Sequence, residues 1–308
     1  MKTQIKTPFY SLKGSSVGAL LLIAGSASAQ NIFVGSYASH SIIEFPTSGP
    51  QITFATGINY PTSLAFNGAG TLFAADQTAG TISEYTSSGT PSTFASGINN
   101  PVSMAFNSVG DLFVATGNNN ILEYAPGGGA PTTFASGLGS PVGLAFSSAG
   151  NLFETDYASG NVYEFTPGGT KSTFATGLHN PAGLAFNAAG DLFVSEGNNG
   201  DAIIEITPGG AQSTFATGLN QPCWMAFDNT GDLYVCDQGV GSQNGDITEF
   251  AANGTESVFS TAAGKPLSIA FQGQALPVPE PSVFAMLACG VAGLLVYRRK
   301  LQRNRNVL

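Results

Sequence analysis

The sequence predicts an all-β fold, a six-bladed β-propeller of four-stranded antiparallel blades, on three observations. A Pro-x-x-apolar-Ala-Phe segment recurs at Pro61, Pro101, Pro141, Pro181, Pro222 and Pro266, at spacings of 40, 40, 40, 41 and 44 residues. Each unit divides into four short runs rich in aromatic and β-branched residues, bounded by Gly, Pro, Asn or Ser and without helical periodicity. Of the 22 Phe, 20 fall at recurring strand positions, leaving only Phe9 and Phe284 outside. Units of about 40 residues that each supply four strands cannot bury both faces alone, and stacking them around an axis does so.

The unit beginning at Pro141 shows the elements in order, with strands GLAF, NLFETD, NVYEF and KSTFATG. Its first turn, Ser147 to Gly150, recurs as Asn67 to Gly70, Asn107 to Gly110, Asn187 to Gly190 and Asp228 to Gly231. A side-chain oxygen that bonds its own backbone, followed by a Gly tolerant of positive φ, marks a tight hairpin. Read as a four-residue turn, it sends Leu144, Phe146 and Phe153 to one face and Gly143, Ala145 and Leu152 to the other. The same register places Phe227 opposite Asp232 and Cys223 opposite Cys236, which predicts a Cys223–Cys236 disulfide in an oxidising compartment.

Counting strand types fixes blade number and closure. First, second and fourth strands each occur six times, yet the chain enters at a second strand, Ile32 to Gly35, and leaves at a first strand, Leu267 to Phe271. The last strand must therefore complete the N-terminal blade, closing the ring and removing its exposed edges.

The flanks have different chemistry. Residues 1–29 carry Lys2, Lys6 and Lys13, an apolar run from Val17 to Gly25, and Ala27-Ser28-Ala29, the pattern of a secretory signal helix cut before Gln30. Residues 30–272 form the propeller and hold 18 acids against two bases, Lys171 and Lys265. That imbalance excludes nucleic acid as a partner, because phosphate binding needs cationic side chains, and it disfavours anionic membrane surfaces. Residues 273–282 are a Pro-rich linker. Residues 283–297 are uncharged and apolar, read as a short transmembrane helix, and residues 298–308 form a basic cytoplasmic tail.

Pro279-Glu280-Pro281, the apolar segment and Arg298-Arg299-Lys300 together resemble the PEP-CTERM sorting signal of Gram-negative bacteria. The resemblance implies recognition by an exosortase-type membrane protease that cuts near the triplet, in organisms that make extracellular polysaccharide. A permanent C-terminal anchor is the alternative.

Across residues 30–272 the P-x-G-L-A-F starts, the A-G-D-L-F-V second strand and the acid that closes it (Asp76, Asp156, Glu196, Asp237) resemble NHL repeats. That family implies architecture and says little of activity. The sequence departs from the NHL pattern where a basic residue usually precedes the third strand, with Gly80, Asn120 and Asn161 there instead, which counts against RNA binding.

Two enzyme families are similar in repeat style. Gluconolactonase-like propellers hold an axial metal through side chains at the inner strand starts, where this chain has Thr62-Ser63, Val102-Ser103, Val142-Gly143, Ala182-Gly183, Cys223-Trp224 and Leu267-Ser268, poor ligands for a hard cation. Streptogramin lyases use His on seven blades, and the histidines here are only His40 and His179.

Two acid sets repeat. Glu44, Glu84, Glu123, Glu164, Glu205 and Glu249 supply one carboxylate per third strand and, with so few cations, must meet water, hydroxyls or backbone amides. The acids closing second strands suit capping of the next turn. The oxygen-rich loops around Glu196, Asp201, Asp237 and Asp246 could hold a calcium ion, although no twelve-residue calcium loop is present. No other cofactor is indicated.

Turns between strands one and two and between three and four keep their chemistry, whereas those between strands two and three and between successive blades vary. In an up-and-down blade all the variable loops share one face, which presents Tyr37, His40, Tyr60, Tyr157, His179, Asn198, Asn199 and Trp224. Aromatic and amide groups among acids suit stacking on, and hydrogen bonding to, a neutral sugar.

The functional expectation is an exported, cell-surface or released binding or scaffold module for extracellular polysaccharide or protein. A propeller-class hydrolase or lyase is the alternative.

Overall fold

The computed structural model describes residues 30–197, 200–239, 245–261 and 263–273. The expected signal segment, the linker beyond residue 273, the transmembrane segment and basic tail (with Pro279, Glu280, Pro281, Arg298 and Arg299), and Asn198 and Asn199 lie outside them.

The described chain forms 24 strands in six four-stranded antiparallel sheets. Blade 1 is split as predicted, with Pro266–Phe271 pairing Ile32–Ser36 in the register Ile32↔Phe271 and Val34↔Ile269. Blades 2 to 6 begin at Pro61, Pro101, Pro141, Pro181 and Pro222, whose strands lie innermost in each sheet.

The first hairpin corrects the sequence reading. Its loop contains five residues rather than four: Asn67 N–H donates to Thr71 O (3.0 Å), and Thr71 N–H donates to Asn67 Oδ1 (2.9 Å). Gly70 takes the left-handed conformation (φ 79°) that lets the chain make this wider closure. The pairs are therefore Phe146↔Leu152 and Ala145↔Phe153, and Phe227 faces Leu233 instead of Asp232. Because side chains alternate, this single step moves Phe153 to the face of Ala145 and Leu152 to that of Phe146.

The corrected faces explain the packing. Phe73, Ala75 and Ile82 of blade 2 meet Met104, Phe106, Leu112 and Val114 of blade 3, and equivalent clusters fill the other interfaces. Each second-strand aromatic sits edge-on between the outer-strand Phe of its own blade and the inner-strand Phe of the next. Phe113 lies 4.9 Å from Phe134 and 5.0 Å from Phe146, and Phe193 lies 5.0 Å from both Phe215 and Phe227. Edge-to-face pairs of this kind add about 0.5–1.5 kcal/mol beyond area burial.

Candidate functional site

The acids closing the second strands build the variable-loop face. Asp76 accepts from Asn59 N–H at 2.8 Å, Asp156 from Gly139 N–H at 2.6 Å, Glu196 from His179 N–H at 2.7 Å and Asp237 from Asn220 N–H at 2.7 Å. Each ties the crossover that enters its blade to the end of the second strand. Asp76 and Asp156 also accept from amides of the following turn, as the capping reading predicts. Burial works to raise the Asp156 carboxyl, but the backbone N–H groups of Ser159, Gly139 and Ser140 overcome it and hold the group below its ordinary value.

Of the residues considered for calcium, Glu196 and Asp237 are engaged with these amides. Asp246 pairs across from Asp237, and Asp201 takes a left-handed backbone (φ 48°). Burial pushes the Asp237 carboxyl up, the amides of Asn220 and Gly239 oppose that, and the nearby Asp246 and Asp201 charges add to it. Among the described residues no group of three or more His, Cys, Asp or Glu side chains is arranged to hold a metal ion.

The loops also bond to each other. Gln77 N–H donates to Tyr60 O (3.0 Å), Tyr157 N–H to Ser140 O (2.9 Å), Tyr37 N–H to Lys265 O (3.0 Å) and Ile98 N–H to Gly80 O (3.0 Å). On this tied framework the structure brings together three of the expected binding residues. The Tyr37 ring lies 4.9 Å from Tyr60 and 5.8 Å from His40, whose Nδ1 is 2.9 Å from Asn59 O. Tyr37 is 42% exposed, the most open Tyr or Phe ring of the described chain. Burial raises the Tyr60 phenol, with the nearby Tyr37 and Cys223 adding to it. Tyr157 and exposed His179 stand on the same face but belong to blade 4 and to the crossover into blade 5.

Trp224 occupies the third position of the inner strand of blade 6, half-buried against the cluster of Cys223 and Cys236, and its indole N–H is buried without a partner. The expected disulfide is not formed, and Cys223 and Cys236 are free thiols. The register used to predict it was one residue off. A bulge between Pro222 and Met225 brings the residues back together, but with the Cys223 thiol donating to Cys236 O (3.2 Å). Burial, then the Cys223 thiol, pushes the Cys236 thiol well above its ordinary range.

The residues that looked like poor metal ligands form a collar around the axis. Thr62 Oγ1 donates to Pro101 O (2.8 Å), Ser268 Oγ to Pro61 O (2.8 Å), and Ser63 Oγ accepts from Met104 N–H (3.0 Å). In blade 4 Thr155 Oγ1 accepts from Gly143 N–H and donates to Ala182 O; in blade 5 Ser195 Oγ accepts from Gly183 N–H and donates to Cys223 O. These hydroxyls satisfy inner-strand backbone groups that have no further strand to pair with. Their role is set by a blade some 40 residues away, so no local pattern announces it.

Glu154 was also missed. It is fully buried in the second strand of blade 4 and neither carboxylate oxygen has a partner. Burial, then the charge of Asp156, raises its pKa to about 8, and Lys171 opposes the shift. A signal did exist, since the equivalent second-strand position holds Val34, Ala74, Val114, Val194 and Val235 in the other blades. Of the third-strand acids, Glu84 meets a hydroxyl as expected, accepting from Ser92, whereas Glu44 and Glu164 accept from the side-chain amides of Asn31 and Asn151.

Fold and site together define a six-bladed β-propeller with a tied loop face and a hydroxyl collar. No family model matches the chain, and no curated protein matches it. Solved propellers do. The structure of a nidogen/laminin complex superposes with a TM-score of 0.70 at 18% identity, covering 80% of this chain and 100% of that one. A streptogramin B lyase gives 0.62 at 15%, covering 79% and 87%, and a gluconolactonase from Xanthomonas campestris gives 0.63 at 16%, covering 79% and 88%. At these identities the likeness is one of fold.

Proposed function

We propose that the protein is an exported binding or scaffold module that uses the variable-loop face to hold a neutral sugar of an extracellular polysaccharide. The observation that carries this reading is the Tyr37, His40 and Tyr60 cluster, open to solvent on loops whose backbone is tied by hydrogen bonds. Aromatic faces stack on the apolar faces of sugars at little entropic cost, and binding sites concentrate on loops held by rigid scaffolds. The acid excess of the domain favours a neutral ligand over an anionic one.

Export and sorting rest on residues 1–29 and on the tail, with an exosortase-type protease as the processing partner. Display fits the topology. Gln272 N–H donates to Asn31 O (3.0 Å), so both ends of the described chain leave together at the end opposite the variable loops, and an anchor there leaves the loop face outward. The propeller solved in a nidogen/laminin complex lends support to a binding role for a fold of this size.

The test is retention of the exported protein on neutral extracellular polysaccharide, beside Tyr37→Ala/Tyr60→Ala. The expected result is retention at least about tenfold weaker in the variant, with an unchanged melting transition. Equal retention by the two would remove the loop face as the site.

A further inference from the structure

We propose that the opposite end of the axis is a second binding site, one that takes a small amphiphile with an apolar body and an ammonium head. This site is separate from the loop face and does not depend on the reading given to it.

A cavity opens at the end that carries the first hairpin turns and has a volume of about 950 Å³, within the range of small-molecule sites. All six blades build it by repetition: Ala65, Ala105, Ala145, Ala185, Ala226 and Ala270 ring the axis, each followed by the Phe that ends its inner strand. The small side chain at this position keeps the bowl open, while the Phe behind it is held by the blade interface.

The cavity extends outward on one side, while the equivalent groove between blades 3 and 4, lined by Phe113, Phe134, Glu123 and Pro167, is a separate cavity of about 300 Å³. Between blades 4 and 5 the cavity runs outward along Phe153, Phe174 and Phe186 to Asn151, Glu164 and Pro208. Glu164 accepts from Asn151 Nδ2 at 2.7 Å, which orients one carboxylate oxygen and leaves the carboxylate half-exposed on the cavity wall. Asp228 also lines the cavity, and none of the lining residues is cationic. An apolar bowl with carboxylates and amides at its edge complements an apolar body that carries a positive donor, and in so acidic a domain it repels an anion of the same shape.

Titration calorimetry of the full chain at pH 7 with octylammonium, octan-1-ol and octanoate tests this. The expected result is one saturable site per chain, strongest for octylammonium, weaker for the alcohol and absent for octanoate. Filling the bowl with Ala145→Phe, at a half-buried alanine of its wall, should abolish binding. Ala226→Leu, a smaller intrusion from another blade, should weaken it about tenfold and guards against loss of fold in the first variant. Glu164→Gln should lower octylammonium affinity about fivefold, to the level of the alcohol, without changing alcohol binding. Tyr37→Ala should change nothing. Absence of saturable binding, equal affinity for octanoate, or undiminished binding in a folded Ala226→Leu would each overturn the proposal.

Discussion

The two ends of the axis are built from the same inner strands but by opposite chemistry. At the Pro end, hydroxyls and glycines stitch each blade to the next through hydrogen bonds, such as Thr62 to Pro101 and Ser195 to Cys223. At the Phe end the strands are held mainly from behind by paired aromatic rings, with alanines lining the cavity and a polar tie between blades where Asn229 N–H donates to Gln30 Oε1 (3.0 Å). A hydrogen bond between blades needs close backbone approach, whereas ring packing tolerates a gap on the axis. The end made rigid by polar contacts is therefore narrow, and the end made rigid by apolar contacts has room for a ligand. Between them lies a layer that should be wholly apolar, and Glu154 breaks it.

The largest effect on stability is expected at Glu154. Its neighbours on the blade interface are Leu144, Phe146, Phe113 and Ala115, with Tyr163 paired beside it. The charges near it are Asp156 and Lys171, and Glu123 stands farther out on the facing blade with its own carboxyl pushed up by burial and by Asp111. Because burial raises the folded pKa from 4.5 to about 8, the folded protein keeps a proton that the unfolded chain releases. Below the unfolded value the group imposes no ionisation penalty. As pH rises toward 8, stability falls by about 1.4 kcal/mol per pH unit, to a loss of order 5 kcal/mol. Glu154→Val has nearly the same volume and restores the residue found in most other blades, so it should remove this slope. Denaturant melts at pH 5 and pH 9 measure it, and a slope unchanged by the substitution would show that the carboxyl is solvated.

Next in size is the stitched end itself. A Cβ at Gly183 would run into Cys223 O and Trp224 Cα, both backbone atoms that cannot yield alone. Gly183→Ala should cost about 3 kcal/mol, whereas Ala145→Ser, at a half-buried alanine on the wall of the open end, should cost under about 1 kcal/mol. Similar losses from the two would mean that the ends are equally packed. Ser195→Ala probes the collar without adding volume. It leaves Gly183 N–H and Cys223 O without their partner, for an expected loss of about 1–2 kcal/mol in urea melts.

Most of this architecture was legible because repetition is legible. Six copies of each strand type, with the chain entering mid-unit, gave blade number and closure without any single strand having to be recognised. Register was not legible, for a reason visible in Leu152 and Phe153. Both are apolar because a propeller blade is buried on both faces, so no polar alternation remains to distinguish a four-residue turn from a five-residue one. The disulfide expectation used that register, but a bulge restores the proximity of Cys223 and Cys236, and the Cys223 thiol bonds the Cys236 carbonyl instead. The bonding role of the collar was not legible because Ser63 and Ser103 act on backbone some 40 residues downstream. Tyr37, His40 and Tyr60 were named as members of a face, but that these three touch follows from crossovers pulled in by Asp76 and by the Tyr37 N–H, which only the folded chain shows.

The smallest effect on stability, and the one that separates scaffold from site on the loop face, is expected at Tyr37. If the loops owed their shape to the aromatic cluster, removing its most exposed Tyr ring would loosen them. The loops are instead held through backbone: Tyr37 N–H to Lys265 O at 3.0 Å, Gly57 N–H to His40 O at 3.0 Å, and Gln77 N–H to Tyr60 O at 3.0 Å, all of which survive loss of the side chain. With 42% of its surface in water, the Tyr37 side chain has little burial to lose. Tyr37→Ala should therefore change stability by no more than about 0.5 kcal/mol, and amide hydrogen exchange of residues 37–40 and 57–60 should be unaltered. Faster exchange confined to those loops would show that the rings hold the loops in place, and the cluster would then belong to the scaffold with the collar.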